Sequence, residues 1–500
     1  MQQSLRPSQA HAQQPEERAP SLADPAKDPD AAAADAAAVE TNEATGAVEP
    51  PPPELEASPP PPADSEVPAA PSEASAGGLF EQSQQEDAGG ETSPPASRFD
   101  LNGYVRGDVF VGQMRGARRA EIKAAYGELA LKLQAKKELY GDAYAEARLR
   151  YGQQGEVRNL FVDLREAYVN LYVGPVDIRL GRQIIVWGRA DAFNPTNNLT
   201  PIDLRIRSPL EDDRRVANVG ARTFLNLTPV RIEGVWMPLY APVELPPIEL
   251  PEFVVLTDPR FPAPELENGL GAVRVHLELP AFEASASYLY GHAPLPGLAL
   301  NDFTVGVDPP EVRISRTAYE HHVVGLDFSS TIGELVATRA EAAYRHPVDY
   351  ENRIHAPRPD LHYVFGLDRA FGSVNVIAQY MGRYVFDWQP ETGPEDPIEP
   401  TALSGFMPPL PAFLEQSIID SINADLAERN QTLFSQKARI QHLSSVRVEW
   451  LTLHDTLSLS ALGMVNFTTK EWLFYPRAGY KISDVLSAYV GAEIYSGPEG

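Results

Sequence analysis

The sequence predicts an all-β fold: a transmembrane, antiparallel, up-and-down β-barrel of about 16–18 strands, preceded by a disordered tail. From residue 98 onward, apolar and polar residues alternate with a period of two in many short segments. The connections between these segments alternate between tight and long. No run of about 18 apolar residues occurs, which excludes a helical membrane protein but not a barrel, whose strands alternate.

Residues 1–97 have the composition of a disordered, periplasmic tail rich in Pro, Ala and Glu. They hold 18 acidic residues against three basic ones and one aromatic residue, Phe80, too little apolar surface to offset the entropy of ordering. The proline runs at 50–53 and 59–62 favour polyproline II. Residues 10–12 (AHA) match a signal-peptidase site without an apolar region before it. A secretory signal whose upstream part is missing and a chance match both remain open, and the rest of the chain favours the first.

Residues 98–500 form the predicted barrel. In a typical segment, Val230, Ile232 and Trp236 alternate with Arg231 and Glu233, which gives one apolar and one polar face. About 17 such segments begin near residues 100, 121, 142, 160, 175, 214, 229, 270, 281, 319, 334, 361, 373, 438, 456, 472 and 485. Because bacterial single-chain barrels have even strand numbers, we expect a closing strand to be missing from this chain.

The connections predict the orientation of the barrel. Tight ones lie at 173–175, 226–229, 279–281, 371–373 and 454–456, and long ones at 188–213, 241–268, 291–318, 345–360 and 388–437. Short turns face the periplasm in such barrels and long loops face outward, so the tail starts in the periplasm. Apolar residues at helical spacing over 414–434 predict a short amphipathic helix within the longest outer loop.

Charged residues in the polar phase of the segments are the candidate lining of a pore. A charge on the lipid face would cost about 2–4 kcal/mol for Arg or Lys at mid-membrane. The pore-lining candidates are Arg148, Arg150, Arg179, Arg222, Arg231, Glu233, Arg339 and Glu341. They are consistent with a polar conduit that orients a solute, and equally with a plugged interior in which acids and bases pair. Arg148, Arg150, Arg179 and Arg222 are the basic residues that we expect to set selectivity.

The connection 188–213 is the candidate constriction of the barrel. Its Pro and Asn residues favour specified turns, and its mixed charges suit a loop folded into the mouth and anchored to the wall. A mobile surface loop is the alternative. The constriction candidates are Trp187, Arg189, Asp191, Asn194, Asp203, Arg205 and Arg207.

Two strands have an unclear phase. Alternation places Arg182 on the lipid side with Leu180, so either a bulge near Gly181 resets the phase or the strand is already leaving the membrane. In the fourth segment, Asp163 and Arg165 share a phase with apolar residues. Six aromatic residues near segment ends fit interfacial girdles, with ordinary packing between strands as the alternative: Tyr151, Trp236, Tyr290, Trp450, Trp472 and Tyr480.

Composition and missing motifs limit the other functions. The absence of cysteine excludes disulfides and Cys-ligated metal sites, and a net charge of −27 argues against a nucleic-acid partner. The sequence has no G-x-S-x-G, P-loop, H-E-x-x-H or dinucleotide motif, and we predict no catalytic residue, metal site or cofactor. The acidic outer loops suit a solvated rim better than a specific metal site.

Two motifs carry a resemblance to a known group of proteins. LGRQIIVWG at 180–188, followed by Asn194-Pro195 and PID at 201–203, and GAEIYSG at 491–497 resemble a poorly characterised family of Gram-negative outer-membrane β-barrel proteins, a domain of unknown function. More distantly, the chain is similar to alginate-export and specific-porin barrels. The resemblance would span 99–500 and implies an outer-membrane protein of the export or uptake type without catalytic residues.

The expected function is therefore a porin-like channel in the outer membrane of a Gram-negative bacterium, for passive passage of solutes or of an exported molecule. One alternative is a non-conducting barrel that anchors an envelope complex for adhesion, motility or polysaccharide export through its periplasmic tail. Another is a barrel enzyme that acts on lipid. The expected partners are outer-membrane lipid and lipopolysaccharide, together with a periplasmic protein or peptidoglycan bound by residues 1–97.

Overall fold

The computed structural model describes residues 99–113, 118–137, 140–154, 157–190, 193–208, 210–246, 250, 252–304, 311–333, 335–393 and 411–498. The predicted tail, its motif at 10–12 and the constriction candidate Asp191 lie outside the described residues.

The described residues form 21 β-strands and one long helix, α1 (Ala412–Leu433). The strands are β1 (Phe99–Gly112), β2 (Glu121–Lys137), β3 (Gly141–Gln154), β4 (Val157–Val173), β5 (Val176–Gln183), β6 (Asn218–Leu227), β7 (Val230–Met237), β8 (Val254–Leu256), β9 (Leu270–Leu279), β10 (Phe282–His292), β11 (Gly297–Thr304), β12 (Glu311–Thr317), β13 (Glu320–Ile332), β14 (Val336–Pro347), β15 (Asp360–Phe371), β16 (Val374–Val385), β17 (Ile440–Thr452), β18 (Leu457–Asn466), β19 (Glu471–Ser483), β20 (Leu486–Gly491) and β21 (Ile494–Ser496).

One large antiparallel sheet contains 18 of these strands. Each strand pairs with the next one along the chain, from β1 to β7, through β9 and β10, and on from β13 to β19. β20 and β21 pair with the same edge of β19 and occupy one position, so the sheet has 17 positions. The predicted all-β, up-and-down fold is therefore confirmed.

The connections also follow the predicted alternation. Tight turns join β4 to β5 and β15 to β16, where Gly174 and Gly372 have φ values of 60° and 62° that an L residue rarely adopts. The connections at the opposite end are long, except those between β3 and β4 and between β18 and β19. The helix predicted at 414–434 is confirmed as α1. No helix formed by the described residues has the length and apolar composition needed to cross a bilayer.

The outward face of the sheet is apolar. Large aliphatic side chains such as Val105, Leu131 and Val162 are at least half exposed there. The six aromatic residues predicted at the girdles are 39–60% exposed, so they face outward rather than packing inside. Charged side chains such as Arg222 and Glu233 are instead buried on the inner face. This distribution is the reverse of that of a protein that folds in water.

The phase of β4 is reset by a bulge at Arg165. The β3–β4 register shifts so that Glu146 faces Glu166 and Ala147 faces Leu164, which leaves Arg165 as the extra residue. Because of this extra residue, Arg165 and Glu166 both turn inward, and the residues before and after them alternate in opposite phases. The ambiguity seen in the sequence is therefore a real irregularity of this strand.

The suggested bulge near Gly181 is wrong. The ladders of β5 with β4 and with β6 show no register shift, and Arg182 lies opposite Ala167 and Val219 on the outer face. Arg182 Nε donates to the Leu164 carbonyl beside the β4 bulge at 2.7 Å, and β5 ends one residue later at Gln183. The second explanation, a strand that ends there, agrees with the structure.

A small sheet lies at the end of the long connections. β11 and β12 form a hairpin, and β8 pairs with β12 in parallel. α1 packs on this sheet through Ile422 and Leu426, which share a cluster with Leu298, Val312 and Ile314. Three different connections of the large sheet therefore contribute to one small hydrophobic core.

Candidate functional site

Residues 184–217 connect β5 to β6 and are called the inner segment here. Their contacts reach strands that are far apart in the sheet: Tyr126 on β2 donates to the Arg207 carbonyl at 2.7 Å, and Phe193 stacks on His362 of β15. Glu233 on β7 and Glu341 on β14 also bind the segment. A single segment can touch all these strands only if the sheet is rolled around it, so the segment lies inside the barrel.

Local hydrogen bonds give the inner segment a defined shape. The Asn197 N–H donates to the Asn194 carbonyl at 3.0 Å, and Asn198 Nδ2 donates to the Pro195 carbonyl at 2.8 Å. These are the turns that Asn and Pro favour. Farther on, the Val216 N–H donates to the Pro201 carbonyl at 2.8 Å. The segment therefore folds back on itself.

Trp187 attaches the start of the segment to the wall. Its indole Nε1–H donates to Glu233 Oε1 at 2.9 Å, and Arg222 Nε donates to the same oxygen at 2.8 Å. His276 Nε2 lies 3.2 Å from the other carboxylate oxygen. All four side chains are nearly inaccessible to solvent. A buried charge is tolerated when it is paired and hydrogen bonded, and Trp187 supplies one of the three polar contacts of Glu233.

Arg189 and Glu341 form the second attachment. The backbone N–H groups of Arg189 and Ala190 both donate to Glu341, and Thr196 Oγ1 donates to it at 3.1 Å. The Arg189 side chain donates to Asp327 at 2.6 Å and to Glu283. Burial would lower the pKa of Arg189, but these two carboxylates raise it above its ordinary value.

Asp213 attaches the far end of the segment on the opposite wall. Arg106 Nη2 of β1 and Arg148 Nη1 of β3 donate to its carboxylate at 2.7 and 2.6 Å, and Ser208 also donates to it. Burial alone would raise the pKa of Asp213, but the two guanidinium groups hold it at about 2. The carboxylate therefore stays charged throughout the neutral and mildly acidic range.

Apolar side chains fill the space between these attachments. Ile185, Trp187 and Leu199 share a cluster with wall residues that face inward, namely Val235, Met237, Leu270, Leu289, Val323 and Ala343. Ala190 and Phe193 pack against a second set from β15 to β19. The segment is therefore packed like a protein core on one side of the barrel.

The structure separates the eight pore-lining candidates into two groups. The first group has five members. Arg148, Glu233 and Glu341 bind the inner segment directly. Arg150 and Arg222 pair with Glu128 and Glu233 beside it. Arg179 donates to Asn170 at 2.8 Å and lies 4.0 Å above the Tyr168 ring. Arg231 and Arg339 lie nearer the tight turns and pair with Glu278 at 3.0 Å and Asp368 at 3.6 Å.

The constriction candidates differ in their roles. The side chains of Trp187 and Arg189 donate hydrogen bonds to wall carboxylates, and the Arg207 carbonyl accepts one from Tyr126. Asp203 and Arg205 pair with each other at 2.9 Å, with the Arg205 side chain 47% exposed. The carbonyl of Asn194 accepts a turn hydrogen bond from within the segment.

Several residues that hold the segment were missed in the sequence. Glu128 accepts from Tyr104, Arg106 and Arg150, and Asp327 accepts from Arg189 and Arg274. Both follow the alternation of their strands and were detectable as inward carboxylates. Asp213 lies in a single 3₁₀ turn (Glu211–Arg214) of the connection, where no strand periodicity indicates the direction of its side chain.

Comparisons with known proteins cover parts of this architecture. Residues 83–211 match the family described as "Protein of unknown function (DUF1302)". A comparison with curated proteins gives no match. A triple mutant of the Rhodopseudomonas blastica porin is 8% identical, with a TM-score of 0.38 over 80% of this chain and 100% of that chain. Another mutant of the porin from Rh. blastica is 7% identical, with a TM-score of 0.36 over 80% and 99% of the two chains. The predicted resemblance to a family of unknown function is thus confirmed over residues 83–211.

Proposed function

We propose that the protein is an outer-membrane β-barrel channel through which solutes, or an exported molecule, pass passively. The apolar outward face supports a place in a lipid bilayer, since about 25 cal/mol per Å² favours its removal from water. In this proposal residues 98–500 are the barrel and residues 1–97 a periplasmic tail, with the long connections extracellular.

The inner segment is the proposed constriction. The observation that carries this proposal is its attachment to opposite walls, by Glu233 and Glu341 on one side and by Asp213 with Arg106 and Arg148 on the other. A loop held at both ends narrows the lumen at a fixed height instead of moving freely.

Polar side chains line the lumen between the inner segment and the tight turns. They retain partial exposure, in contrast to those beneath the segment: Arg231 14%, Glu278 40%, Glu283 46%, Arg339 22%, Asp368 21% and Glu449 32%. The ring comprises four carboxylates and two guanidinium groups, so we expect it to pass small ions with a weak preference for cations.

Planar-bilayer recordings of the full chain test this function. We expect stepwise openings whose conductance rises when residues 188–213 are replaced by a short Gly-Ser linker. Arg429→Met serves as a control, because this exposed side chain lies in α1, outside the inner segment, and its conductance should equal that of the wild type. Openings of equal size in all three forms would contradict the constriction.

A second candidate is a non-conducting barrel that anchors an envelope complex through the tail. The apolar cluster around Ile185, Trp187 and Leu199 favours it, because a dry core blocks the part of the lumen that it fills. Silence of both the wild type and the linker variant in correctly folded, reconstituted form would support the anchor and reject the channel.

A further inference from the structure

A basic and aromatic patch lies on the outward face where β16, β17 and the β18–β19 turn meet at the long-loop end. Tyr380 and Tyr384 of β16 lie opposite Ser444 and Ile440 of β17, and His442 lies opposite Gly382. The inner phase of β16 is buried and includes Met381 and Arg383. The two tyrosines and His442 therefore share the outer surface.

Hydrogen bonds fix the rings of this patch. The Tyr380 hydroxyl lies 2.5 Å from His442 Nδ1, and the two rings are stacked with centroids 6.0 Å apart. Arg439 Nη2 donates to the Tyr384 hydroxyl at 2.6 Å, and its guanidinium lies 5.3 Å from the centre of that ring. When the Tyr380 hydroxyl donates to Nδ1, the neutral imidazole carries its own hydrogen on Nε2 and remains a donor.

Two lysines add to the positive charge of Arg439, and one of them, Lys470, lies in the β18–β19 turn. The His442 N–H donates to Thr468 Oγ1 at 3.0 Å, and the Phe467 N–H donates to the His442 carbonyl at 2.9 Å. These bonds place the turn that carries Lys470 beside His442. Lys437 lies two residues before Arg439, and all three cations are exposed.

The patch carries charges that the described part of the chain does not neutralise. Considering only the part of the chain that the structure describes, Lys437, Arg439 and Lys470 have no carboxylate within ion-pair distance. Other arginines of the long connections pair locally, as Arg313 does with Glu311 at 2.8 Å and Arg429 with Asp425 at 2.7 Å. Three exposed cations without a carboxylate partner, in a chain of net charge −27, create a local positive surface that attracts anions from outside.

We propose that this patch binds the phosphate group of a lipid headgroup in the leaflet at the long-loop end. Apolar side chains continue below the patch, with Val446 of β17 and Phe474 of β19 exposed on the same face, and they would contact the acyl chains. The cations and ring donors would contact the phosphate oxygens. This proposal rests on the place of the barrel in a membrane and does not depend on ion conduction.

The test measures lipid binding by the full chain in neutral detergent micelles. The probes are a bisphosphorylated lipid A and zwitterionic phosphatidylcholine, and the readout is the apparent Kd. We expect the wild type to prefer the bisphosphorylated lipid. Combining Lys437→Gln, Arg439→Gln and Lys470→Gln should weaken that binding roughly a hundredfold, at about fivefold per cation near a lipid surface.

A charge-matched control combines Arg313→Gln, Arg353→Gln and Arg429→Gln. These arginines also lie in the long connections but have carboxylate partners, so the Kd should change less than about twofold. Equal weakening in both triple variants would overturn the site in favour of bulk charge. A wild type without preference, or displacement of the lipid by inorganic phosphate at equal concentration, would also overturn it. Retained circular dichroism of both variants shows that they are folded.

Discussion

Asp327 on β13 and Glu341 on β14 lie directly opposite each other on the inner face of the sheet. Both are buried, with 5% and 3% of their surface exposed, and two carboxylates in this arrangement repel. Arg189 neutralises the first, while two backbone N–H groups of the inner segment donate to the second. The inner segment therefore shares the compensation of Asp327 with Arg274 and supplies the backbone donors that Glu341 accepts from.

Replacing Arg189 should destabilise the barrel strongly. Arg189→Met removes one of the two cations that pair with the buried Asp327, which keeps Arg274, and the cation that binds the half-exposed Glu283. The loss of these charge-assisted hydrogen bonds should lower the free energy of unfolding by about 1.5–3 kcal/mol. The measurement is the free energy of unfolding in urea, in lipid vesicles. Arg429→Met breaks an ion pair in which both side chains are exposed, with Asp425 as the partner, and should cost less than about 1 kcal/mol. Similar losses for both would show that Arg189 is not an anchor.

Two substitutions of Glu341 should separate charge from hydrogen bonding. Glu341→Gln retains an oxygen that accepts the backbone N–H groups of Arg189 and Ala190, and it removes the repulsion with Asp327. Glu341→Leu removes the acceptor and leaves those N–H groups buried without a partner. We expect the Gln variant to conduct like the wild type and the Leu variant to have a larger single-channel conductance. A Leu variant with unchanged conductance would argue against a constriction held by Glu341.

Asp213 should make the stability of the protein sensitive to strong acid. Its pKa is held at about 2 in the folded state, below the value of roughly 3.9 for an unfolded chain. Its contribution to the free energy of unfolding is about 2–3 kcal/mol. This contribution is therefore complete above about pH 4 and is lost as the pH falls to about 2. The free energy of unfolding, measured from pH 5 to pH 2, should fall by this amount in the wild type. In Asp213→Asn the fall should be smaller by the contribution of Asp213. An identical pH profile for both proteins would contradict the role of Asp213.

Asn430 should hold α1 on the small sheet. Its side chain is 3% exposed, accepts from the Leu298 N–H at 2.7 Å, and donates to the Leu298 and Ile354 carbonyls at 2.8 and 3.0 Å. Asn430→Ala leaves these groups unsatisfied, at a cost of about 1–3 kcal/mol. Hydrogen exchange of α1 should accelerate by about one order of magnitude or more. Gln416→Ala, on the exposed face of the same helix, should leave exchange unchanged, and equal acceleration by both would reject the role of Asn430.

The strands were predictable because apolar and polar residues alternate within each one, independently of its neighbours. A residue such as Leu131 or Glu128 follows the period of two whatever its partner is, so the start of each of the 17 positions could be placed within a few residues. The bulge at Arg165 was not predictable, because only the register with β3 shows which residue is extra. In the sequence it appeared only because Asp163 and Arg165 share a phase with apolar residues of the same segment.

The candidate site was predictable in its location but not in its contacts. The composition of 188–213 indicated a loop anchored by ion pairs, and Trp187 and Arg189 do contact wall carboxylates. The partners Asp327 and Glu233 lie far away in sequence, and only the curvature of the sheet brings them to the segment. Asp213 had no periodic pattern to mark it, so its pairing with Arg106 required the structure.

The small sheet also implies an order of assembly. The hairpin of β11 and β12 joins residues that are close in the chain, but its hydrophobic core remains incomplete until Ile422 and Leu426 of α1 arrive. Those residues follow β16, so this core joins parts of the chain that the wall strands β13 to β16 separate in sequence. Closing a loop of that length is slow compared with forming hairpins. We therefore expect the small sheet to complete its hydrophobic core late in folding.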